Sequence, residues 1–259
     1  MNAKILVAAH KNVKMPVNNP IYTPVFVGAA LHPNLTTDFQ RDDEGDNISV
    51  KNPNFNELTA IYWAWKNVDA DVIGLVHYRR YFSTSRMRSL NNVLNEDELQ
   101  KLLSQAPIIL PKKRHYYIET NYSHYIHAHR QEPLDEIRLI LQDQYPEYVP
   151  AYDQVMKRTT AHMFNMFIMQ QAYFREYCEW LFGVLNLLED RLDTSLYSQQ
   201  DARVYGYISE LMMDVWLQTR GYTYVETNWI QLGKRQTVKK MVAFLQRKFS
   251  QKKEIQTHF

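Results

Sequence analysis

Three short apolar runs that end in basic residues constrain the fold more than any other feature of this sequence. The runs are KILVAA at 4–9, DVIGLV at 71–76 and APIILPKK at 106–113. Short apolar runs of this kind are typical of buried parallel strands. Amphipathic stretches at 55–67 and 96–105 lie between them and predict helices. This alternation predicts an α/β fold with a mostly parallel central sheet flanked by helices.

The basic ends of the three runs predict a binding site for an anion. Carboxyl ends of parallel strands share one edge of a sheet, and ligands bind beyond that edge. Arginine guanidiniums bind phosphate oxygens bidentately, so an anionic ligand such as a diphosphate fits this edge. Neighbouring side chains on an extended chain point to opposite faces, so we expect one of Arg79 and Arg80 to bind ligand and the other to brace the loop. The candidate residues are His10, Lys11, Asn47, His77, Tyr78, Arg79, Arg80 and Lys112.

The second half of the chain is richer in helices. Periodicity predicts helices at 133–144, 148–157, 171–192 and 199–219, with extended segments at 160–169 and 222–226. A capping-box pattern, Asn54 followed by Glu57, marks the start of the helix at 55–67. No repeat or linker divides the chain, so we expect residues 1–233 to form a single catalytic domain.

Two carboxylates are candidates for a general base. Glu210 lies among apolar residues of the helix at 199–219, where desolvation would raise its pKa and suit it to take a proton from a hydroxyl. Arg203 lies two turns away on the same helical face, so a structural pairing of Arg203 with Glu210 is the alternative. Asp46, in the acidic loop DDEGDN, is the second candidate base.

Polar residues in apolar surroundings are candidates for sugar or acceptor binding. They are His124, His162, Asn165 and Arg203. A structural role is the alternative for each of the two histidines and for Asn165, since buried polar groups are usually satisfied within the core.

No metal-binding residues are assigned from the sequence. The loop DDEGDN at 42–47 could bind a hard cation, but it matches no complete calcium-loop pattern. Asp69-Ala70-Asp71 precedes its strand rather than following it. His124, His127 and His129 lack a further ligand that would complete a zinc site. A divalent cation, manganese or magnesium, therefore stays an open possibility without assigned ligands.

Charge is distributed unevenly along the chain. Residues 234–259 contain eight Lys or Arg and one acidic residue, and the rest of the chain carries a formal net charge of −5. One helical face of this segment is apolar and the other basic, which predicts an amphipathic helix that either lies on an anionic membrane or packs on the body. The body has no basic surface motif, so nucleic acid is not an expected partner.

The cellular location is predicted from three further observations. The single cysteine, Cys178, lies in an apolar helical stretch and favours a reducing compartment. The chain lacks an apolar run long enough for a membrane span, and its start does not resemble a signal peptide. We expect a cytoplasmic protein, peripheral on the inner face of the cytoplasmic membrane if the basic tail binds lipid.

Several longer motifs resemble a bacterial family long labelled as a domain of unknown function, DUF4422. They are ILVAAHK, GDNISVKNPNFNELTAIYWAWKN, DVIGLVHYRRYF, HMFNMFIM and RVYGYISELMMDVW, and they cover most of residues 4–230. Members occur in capsular and exopolysaccharide gene clusters and include galactofuranosyltransferase-like enzymes. The resemblance implies a GT-A-like fold and a nucleotide-diphosphate sugar donor, with UDP-galactofuranose the foremost candidate, and a glycan acceptor that is often lipid-linked.

The family's shared blocks include a set of polar residues without giving their roles. These are His10, Asp46, Asn47, Asn56, Glu57, His77, Tyr78, Arg79, Arg80, Asn165, Arg203 and Glu210. The resemblance implies a glycosyltransferase of capsule, exopolysaccharide or O-antigen synthesis, and a single general base predicts direct displacement with inversion. Two other classes stay open: a non-catalytic carbohydrate- or membrane-binding protein, and a phosphohydrolase that binds metal through DDEGD.

Overall fold

The computed structural model describes residues 1–233, and the predicted basic helix at 234–259 lies outside the described residues. The strands are β1 Ala3–Ala9, β2 Tyr22–Phe26, β3 Gln40–Arg41, β4 Val72–His77, β5 Arg80–Phe82, β6 Ile108–Pro111, β7 Arg114–His115, β8 Thr160–Ala161, β9 Phe167–Gln170, β10 Val225–Thr227 and β11 Trp229–Gln231. The α-helices are α1 Asn52–Phe55, α2 Leu58–Asn67, α3 Glu96–Leu103, α4 Asn121–Ile126, α5 Glu132–Gln144, α6 Val149–Lys157, α7 Gln171–Arg191 and α8 Val204–Arg220.

The central sheet has the strand order β10-β6-β9-β4-β1-β2-β3. The pairs β1–β2, β1–β4, β2–β3 and β6–β10 are parallel, whereas β9 is antiparallel to both β4 and β6. Six of these seven strands therefore run in one direction, which confirms the predicted mostly parallel sheet. The carboxyl ends of β1, β4 and β6 lie at the same edge, as their basic endings predicted.

The reversed direction of β9 brings its preceding loop to that same edge. The segment 160–169, predicted as one extended piece, forms the short strands β8 and β9 with a loop at residues 162–166 between them. Phe164 and Asn165 in this loop have φ angles of 75° and 52°. Left-handed backbone is uncommon outside glycine, so this loop has an unusual conformation at a candidate binding edge.

The basic sequence after β4 forms a tight hairpin. His77 pairs with Arg80 across the antiparallel β4–β5 ladder, and Tyr78 and Arg79 form the turn between them. The chain therefore reverses at this point instead of continuing as extended backbone, so the side chains of Arg79 and Arg80 are not fixed on opposite faces of one strand as predicted.

The helix predicted at 55–67 is interrupted. Asn56 has a φ of 52°, α1 ends at Phe55 and α2 begins at Leu58. The predicted capping box is wrong, because α2 has no side-chain cap and the Glu57 carboxylate accepts a hydrogen bond from Asn165 instead. The break turns Asn56 and Glu57 away from regular helix and towards α8.

The core lies on both faces of the sheet, which explains why the central strands are apolar at nearly every position. Along β1, Ile5 and Val7 pack into one buried cluster and Leu6 and Ala8 into the other. Helices α2 and α5–α8 contribute to the larger cluster, and α3 packs on the opposite face. Cys178, in the apolar helical stretch noted in the sequence, is fully buried in α7. No helix within residues 1–233 is both long and apolar enough to span a bilayer.

Candidate active site

The ring of Tyr78 is surrounded by cationic and imidazole groups from the ends of β1 and β4. His10 contacts it edge to face, with ring centroids 5.3 Å apart. The guanidinium carbon of Arg79 and the Nζ of Lys11 lie 5.0 Å and 5.8 Å from the ring centre. Burial lowers the pKa of His10, and the charges of Lys11, Arg79 and Arg203 lower it further. We call these residues, His10, Lys11, Tyr78, Arg79 and Arg203, the basic rim; three fixed cations converge there.

The two adjacent arginines have different surroundings. Arg79 is exposed in the hairpin turn, whereas Arg80 is half-buried and its guanidinium carbon lies 4.3 Å from the ring centre of Phe164. Burial lowers the pKa of Arg80, and the nearby carboxylates of Glu210 and Glu57 act in the opposite direction. Among residues 1–233, the buried Nε of Arg80 has no hydrogen-bond partner. Arg79 thus belongs to the rim and Arg80 faces the carboxylates.

Glu210 lies on α8 close to a second carboxylate. Burial first and the charge of Glu57 second raise the pKa of Glu210 to about 8, against the opposing effects of the Phe164 backbone N–H and of the charges of Arg80 and Arg114. The predicted effect of desolvation on Glu210 is therefore confirmed. A carboxyl group that titrates near neutral pH can exchange a proton with a bound hydroxyl.

Asn165 fixes Glu57 in place beside Glu210. Its side-chain nitrogen donates to Glu57 Oε1 at 2.7 Å and to the backbone oxygen of Gly206 at 3.1 Å, and Ser209 Oγ donates to Asn165 Oδ1 at 2.9 Å. Asn165 is buried, and these bonds occupy both ends of its amide. The geometry favours a positioning role for Asn165 over the predicted contact with a sugar.

Gly206 allows this part of α8 to lie against the helix break at Asn56. A Cβ atom at Gly206 would come within 2.4 Å of Asn56 Nδ2. Asn56 Oδ1 also accepts a hydrogen bond from Arg203 Nε at 2.8 Å. This bond directs Arg203 to Asn56, so the alternative pairing of Arg203 with Glu210 is not observed in the described part of the chain.

The loop at 162–166 connects the two sides of the site through its backbone. Phe164 donates its N–H to Glu210, and its carbonyl oxygen lies 2.6 Å from His77 Nε2. His77 is thereby held against the loop by this contact. Phe164 also packs edge to face against Trp229, which supports its left-handed backbone.

The start of the same loop is fixed by a network of ionisable side chains. Asp214 accepts from the backbone N–H of His162 at 3.0 Å, and its other oxygen lies 2.5 Å from His162 Nδ1. His162 Nε2 lies 3.1 Å from Glu226, and the Nζ of Lys113 lies 3.9 Å from the same carboxylate. His162 and Asp214 are buried. The network favours an anchoring role for His162 instead of the predicted sugar contact.

The second candidate base lies at the other end of α2. The backbone N–H and O of Asp46 bond to the side chain of Asn67, the last residue of α2, at 3.2 Å and 2.7 Å. Glu57 precedes the first residue of this ten-residue helix, and a helix of that length spans about 15 Å. The structure therefore separates Asp46 from the cluster around Glu210.

The other acidic-loop residues bond within the protein. Asp42 is fully buried and accepts from the backbone N–H groups of Gly28 and Ala29, each at 2.9 Å, and from the hydroxyls of Ser49 and Thr59. The Asn47 amide donates to backbone oxygens of the loop itself. These bonds give Asp42 and Asn47 a structural function and place Asn47 outside the basic rim.

The Asp-x-Asp sequence lies at the opposite edge of the sheet. Asp71 accepts from the backbone N–H of Asn2, and Asp69 accepts from Gln171, both at the amino end of β4. Within residues 1–233, no group of three His, Cys, Asp or Glu side chains is placed to hold a metal ion. These residues do not fit a metal centre.

Two further predicted residues, His124 and Lys112, make no direct contact with Glu210 in the described part of the chain. His124 stacks on Tyr116 with centroids 3.9 Å apart, and its Nδ1 lies 2.9 Å from Glu119. Lys112 is exposed beyond β6, whereas the adjacent Lys113 donates to Tyr224. The carboxyl end of β6 therefore contributes one exposed lysine, Lys112. Lys113 belongs instead to the network that contains His162 and Glu226.

Sequence reasoning missed several residues around Glu210. The charge of Arg114 acts on both Glu210 and Arg80, and Tyr116 and Tyr207 are both close enough to Glu210 for its charge to raise their pKa. Arg114 directly extends the basic pair Lys112-Lys113 at the end of the apolar run of β6, so the basic strand end was a usable signal for it. Tyr207 lies one turn before Glu210 on α8, so helical spacing was a usable signal for it.

Comparison with known proteins agrees with this architecture. Residues 4–221 match the family described as Domain of unknown function (DUF4422). No curated protein matches the chain. Among solved structures, it is similar to an apo structure of WbbM, a bifunctional glycosyltransferase, with 31% identity and a TM-score of 0.81. The match covers 90% of this chain and 46% of that chain, so this chain spans less than half of WbbM.

The likeness in fold extends over nearly the whole described chain. The mostly parallel sheet with one reversed strand between β4 and β6, covered by helices on both faces, is the predicted GT-A-like architecture. The family match covers every element from β1 to α8 and includes the basic rim and Glu210. The chain therefore belongs to the DUF4422 family.

Proposed function

We propose that this chain is a glycosyltransferase that moves a sugar from a nucleotide-diphosphate donor to a hydroxyl group of a glycan acceptor. One observation carries the proposal: a carboxyl group with a raised pKa, Glu210, lies beside Arg80 at the sheet edge where the basic rim gathers. The similarity to WbbM, a bifunctional glycosyltransferase, supports it.

The donor diphosphate binds at the basic rim in this proposal. Lys11 and Arg79 flank the Tyr78 ring, and Arg203 is held nearby by Asn56. Arginine and lysine form charge-assisted bonds to phosphate oxygens. The rim cations would stabilise the negative charge that develops on the leaving nucleoside diphosphate, and the face of Tyr78 offers a stacking surface for base or sugar.

The acceptor hydroxyl binds at Glu210. The deprotonated carboxylate takes the hydroxyl proton while the acceptor oxygen forms a bond to the anomeric carbon of the donor sugar. The bond from that carbon to the diphosphate oxygen breaks, and the electron pair leaves with the nucleoside diphosphate. A single displacement of this kind inverts the anomeric configuration and needs one base.

The pKa of Glu210 sets the pH range of this step. With a pKa of about 8, the carboxyl group is mostly protonated at neutral pH, so the active fraction rises as the pH approaches 8. Arg80 and Arg114 favour the charged form, and they keep the group within reach of physiological pH.

The finer identity of the substrates rests on the family resemblance. UDP-galactofuranose is the donor that we propose, and the acceptor is a growing capsule, exopolysaccharide or O-antigen glycan attached to a lipid. The Asp69 and Asp71 carboxylates bond elsewhere, so the proposal assigns neutralisation of the diphosphate to the basic rim. The predicted cytoplasmic location suits a nucleotide-sugar donor.

The test combines donor binding with transfer. UDP-, GDP- and dTDP-sugars are screened for thermal stabilisation of the protein with and without manganese, since a ligand of the folded state raises its stability. The stabilising donor is then incubated with candidate glycan acceptors, and the product and its anomeric configuration are determined. We expect one nucleotide sugar to stabilise the protein and to be consumed only when an acceptor is present.

The variant Glu210→Gln tests the base. We expect transfer to fall by about 10²- to 10⁴-fold, because general base catalysis is worth this much, with donor stabilisation retained. Glu147→Gln, at an exposed position outside the cluster, is the matched control. Full transfer by a folded Glu210→Gln protein would remove Glu210 from this role.

The other two functional classes give different outcomes in the same assays. Sugar or membrane binding without turnover of any nucleotide sugar would indicate a non-catalytic binding protein. Metal-dependent release of phosphate without an acceptor would indicate a phosphohydrolase. Among residues 1–233 no group of three His, Cys, Asp or Glu side chains is placed to hold a metal ion, and Asp42 of the DDEGD loop bonds within the protein, so the phosphohydrolase has less support than the transferase.

A further inference from the structure

The loop after β7 has a strained turn at its tip. Ile118 donates its N–H to the carbonyl oxygen of Tyr116 at 2.7 Å, and Tyr117 between them has a φ of 60°. This is a γ-turn of the rare kind with positive φ, a conformation that costs free energy in a tyrosine. Strain of this kind persists only where the surrounding structure holds it and often marks a functional segment.

The base of the loop is held firmly. The short strand β7 pairs with β8, and the Tyr116 N–H donates to Thr159 O at 2.8 Å. After the tip, the buried Glu119 carboxylate lies 2.9 Å from His124 Nδ1 and 2.8 Å from His127 Nδ1. The turn is therefore displayed on a fixed support.

The turn directs two large apolar side chains into solvent. Tyr117 is 85% exposed and Ile118 is 83% exposed. We call this pair the Tyr117 tip. Single exposed apolar residues are common on soluble proteins, but an adjacent aromatic and aliphatic pair on a strained, anchored turn needs a specific explanation.

The exposed charges next to the tip in the sequence are positive. Lys112 and Arg114 precede it and are exposed. The one acidic residue between Lys112 and Thr120 is Glu119, which is buried and bonded to imidazoles. An apolar tip beside exposed cations complements a surface whose interior is apolar and whose boundary carries phosphate.

The tip is close to the candidate active site along the chain. Arg114 and Tyr116, on either side of His115, both interact electrostatically with Glu210. A surface that engages the tip would therefore lie beside the acceptor side of the site.

We propose that the Tyr117 tip docks on an anionic lipid bilayer. Tyrosine suits the boundary between headgroups and acyl chains, since its ring is apolar and its hydroxyl is polar. Isoleucine enters the apolar layer, while Lys112 and Arg114 contact lipid phosphates. The proposal concerns residues 112–118, independently of the basic tail at 234–259, and it does not require the proposed transferase activity. A bilayer is favoured over a protein partner by the uniform positive charge beside only two apolar residues.

A fluorescent label at the tip tests this directly in the full-length protein. Cys178 is buried and burial raises the pKa of its thiol, so the variant Ile118→Cys can be labelled selectively with an environment-sensitive dye. Leu139→Cys is the matched control, because Leu139 is an exposed apolar residue on α5 near Glu136 and Asp143. The proteins are mixed with vesicles of phosphatidylcholine alone or with phosphatidylglycerol.

We expect the label at position 118 to shift to shorter wavelength and gain intensity severalfold with phosphatidylglycerol vesicles, and brominated acyl chains to quench it. The label at 139 should stay unchanged, and 0.5 M salt should weaken the response, as screening requires. An unchanged signal at 118, or equal signals at 118 and 139, would overturn the proposal. So would a response at 118 to soluble glycan or protein in place of vesicles.

An unlabelled double variant, Tyr117→Ser with Ile118→Ser, gives a second measurement. We expect its sedimentation with anionic vesicles to fall at least fivefold at limiting lipid, while its thermal stability stays within a few degrees of wild type. Undiminished sedimentation, together with a silent label at 118, would assign membrane binding to other segments and sink the proposal. Both readouts are taken without sugar donor, so failure here leaves the transferase proposal untouched.

Discussion

Asp42 and Glu210 are both enclosed carboxyl groups, but their surroundings differ in hydrogen bonding. Asp42 accepts four hydrogen bonds, two from backbone N–H groups and two from hydroxyls. Glu210 has the N–H of Phe164 and lies beside a second carboxylate, with a pKa of about 8. Four donors satisfy the oxygens of Asp42, whereas the raised pKa of Glu210 leaves that carboxyl group mostly protonated at neutral pH.

This difference shows how to read an acidic residue in a sequence of this kind. The DDEGDN loop attracts attention because several acidic residues lie close together in it. Its buried carboxylate, Asp42, nevertheless has a structural role, since it accepts hydrogen bonds from residues 28, 29, 49 and 59. Glu210 lies among apolar residues in the sequence, and its raised pKa makes it the group that we propose for proton transfer. Surroundings rather than local acidic density separate a structural carboxylate from a reactive one.

The largest effect should follow removal of the satisfied carboxylate. Asp42→Ala leaves the N–H groups of Gly28 and Ala29 without their acceptors in a buried place, so we expect the free energy of unfolding to fall by about 3–5 kcal/mol. Urea unfolding at pH 7 measures it. If the free energy of unfolding falls by less than about 1 kcal/mol, the hydrogen bonds of Asp42 do not stabilise the fold as we infer.

The opposite sign is expected for Glu210. Its folded-state pKa is above the ordinary value, so the unfolded chain loses the proton first and the wild-type stability falls as the pH rises from about 4.5 to 8. Glu210→Gln removes this dependence. We expect it to be more stable than wild type by about 1–3 kcal/mol at pH 8, allowing for the partial exposure of the group, and equally stable at pH 4 to 5.

Thermal unfolding across this pH range tests the second prediction. Glu147→Gln, with the same chemical change at an exposed position, should show the wild-type slope. If Glu210→Gln is less stable than wild type at pH 8, the charged form of Glu210 is stabilised by its surroundings. Glu210 and Asp42 would then not differ in the way that we infer.

A smaller effect is expected for the residue that positions Glu57. Asn165→Ala removes the bonds to Glu57, Gly206 and Ser209 and places alanine at a φ of 52°. We expect a loss of about 2 kcal/mol in stability and a fall in transfer at saturating donor. Asn165→Asp, which keeps the shape but places a third acid beside Glu57, should raise the apparent pKa of the pH–rate profile, which a purely structural residue would not do.

The smallest change should come from neutralising Glu57. Its charge raises the pKa of Glu210 after burial, so Glu57→Gln should move the acidic limb of the pH–rate profile to lower pH by less than about one unit. The position of the acidic limb is measured from the rates of transfer at subsaturating donor between pH 5.5 and 9.5. A shift to higher pH would mean that the titrating group is not Glu210.

Much of the sheet was predictable because apolar runs and strand ends have strong local signals. The runs of β1, β4 and β6 gave the strands and the shared basic edge, and the apolar neighbours of Glu210 gave the direction of its pKa shift. Each of these depends on residues within a few positions of one another. Local sequence therefore carries them.

The remainder depended on contacts between distant segments. The direction of β9, the break at Asn56 and the hairpin turn at Tyr78 arise because strand pairing and α8 packing override local preference. Glu57 had a local capping-box pattern, but its partner is Asn165, 108 positions away. Its pairing could not be deduced from neighbouring residues.

The reversed strand β9 also has a consequence for how the molecule folds. It delivers the 162–166 loop to the same edge as the hairpin turn and α8, so the site joins Tyr78, Asn165 and Glu210 across widely separated stretches of chain. Closing such long loops costs entropy before any contact forms. We expect the site to be completed only when the whole sheet has docked, so a bound donor should slow hydrogen exchange in β1, β4 and β9 in step with global unfolding rather than with local opening.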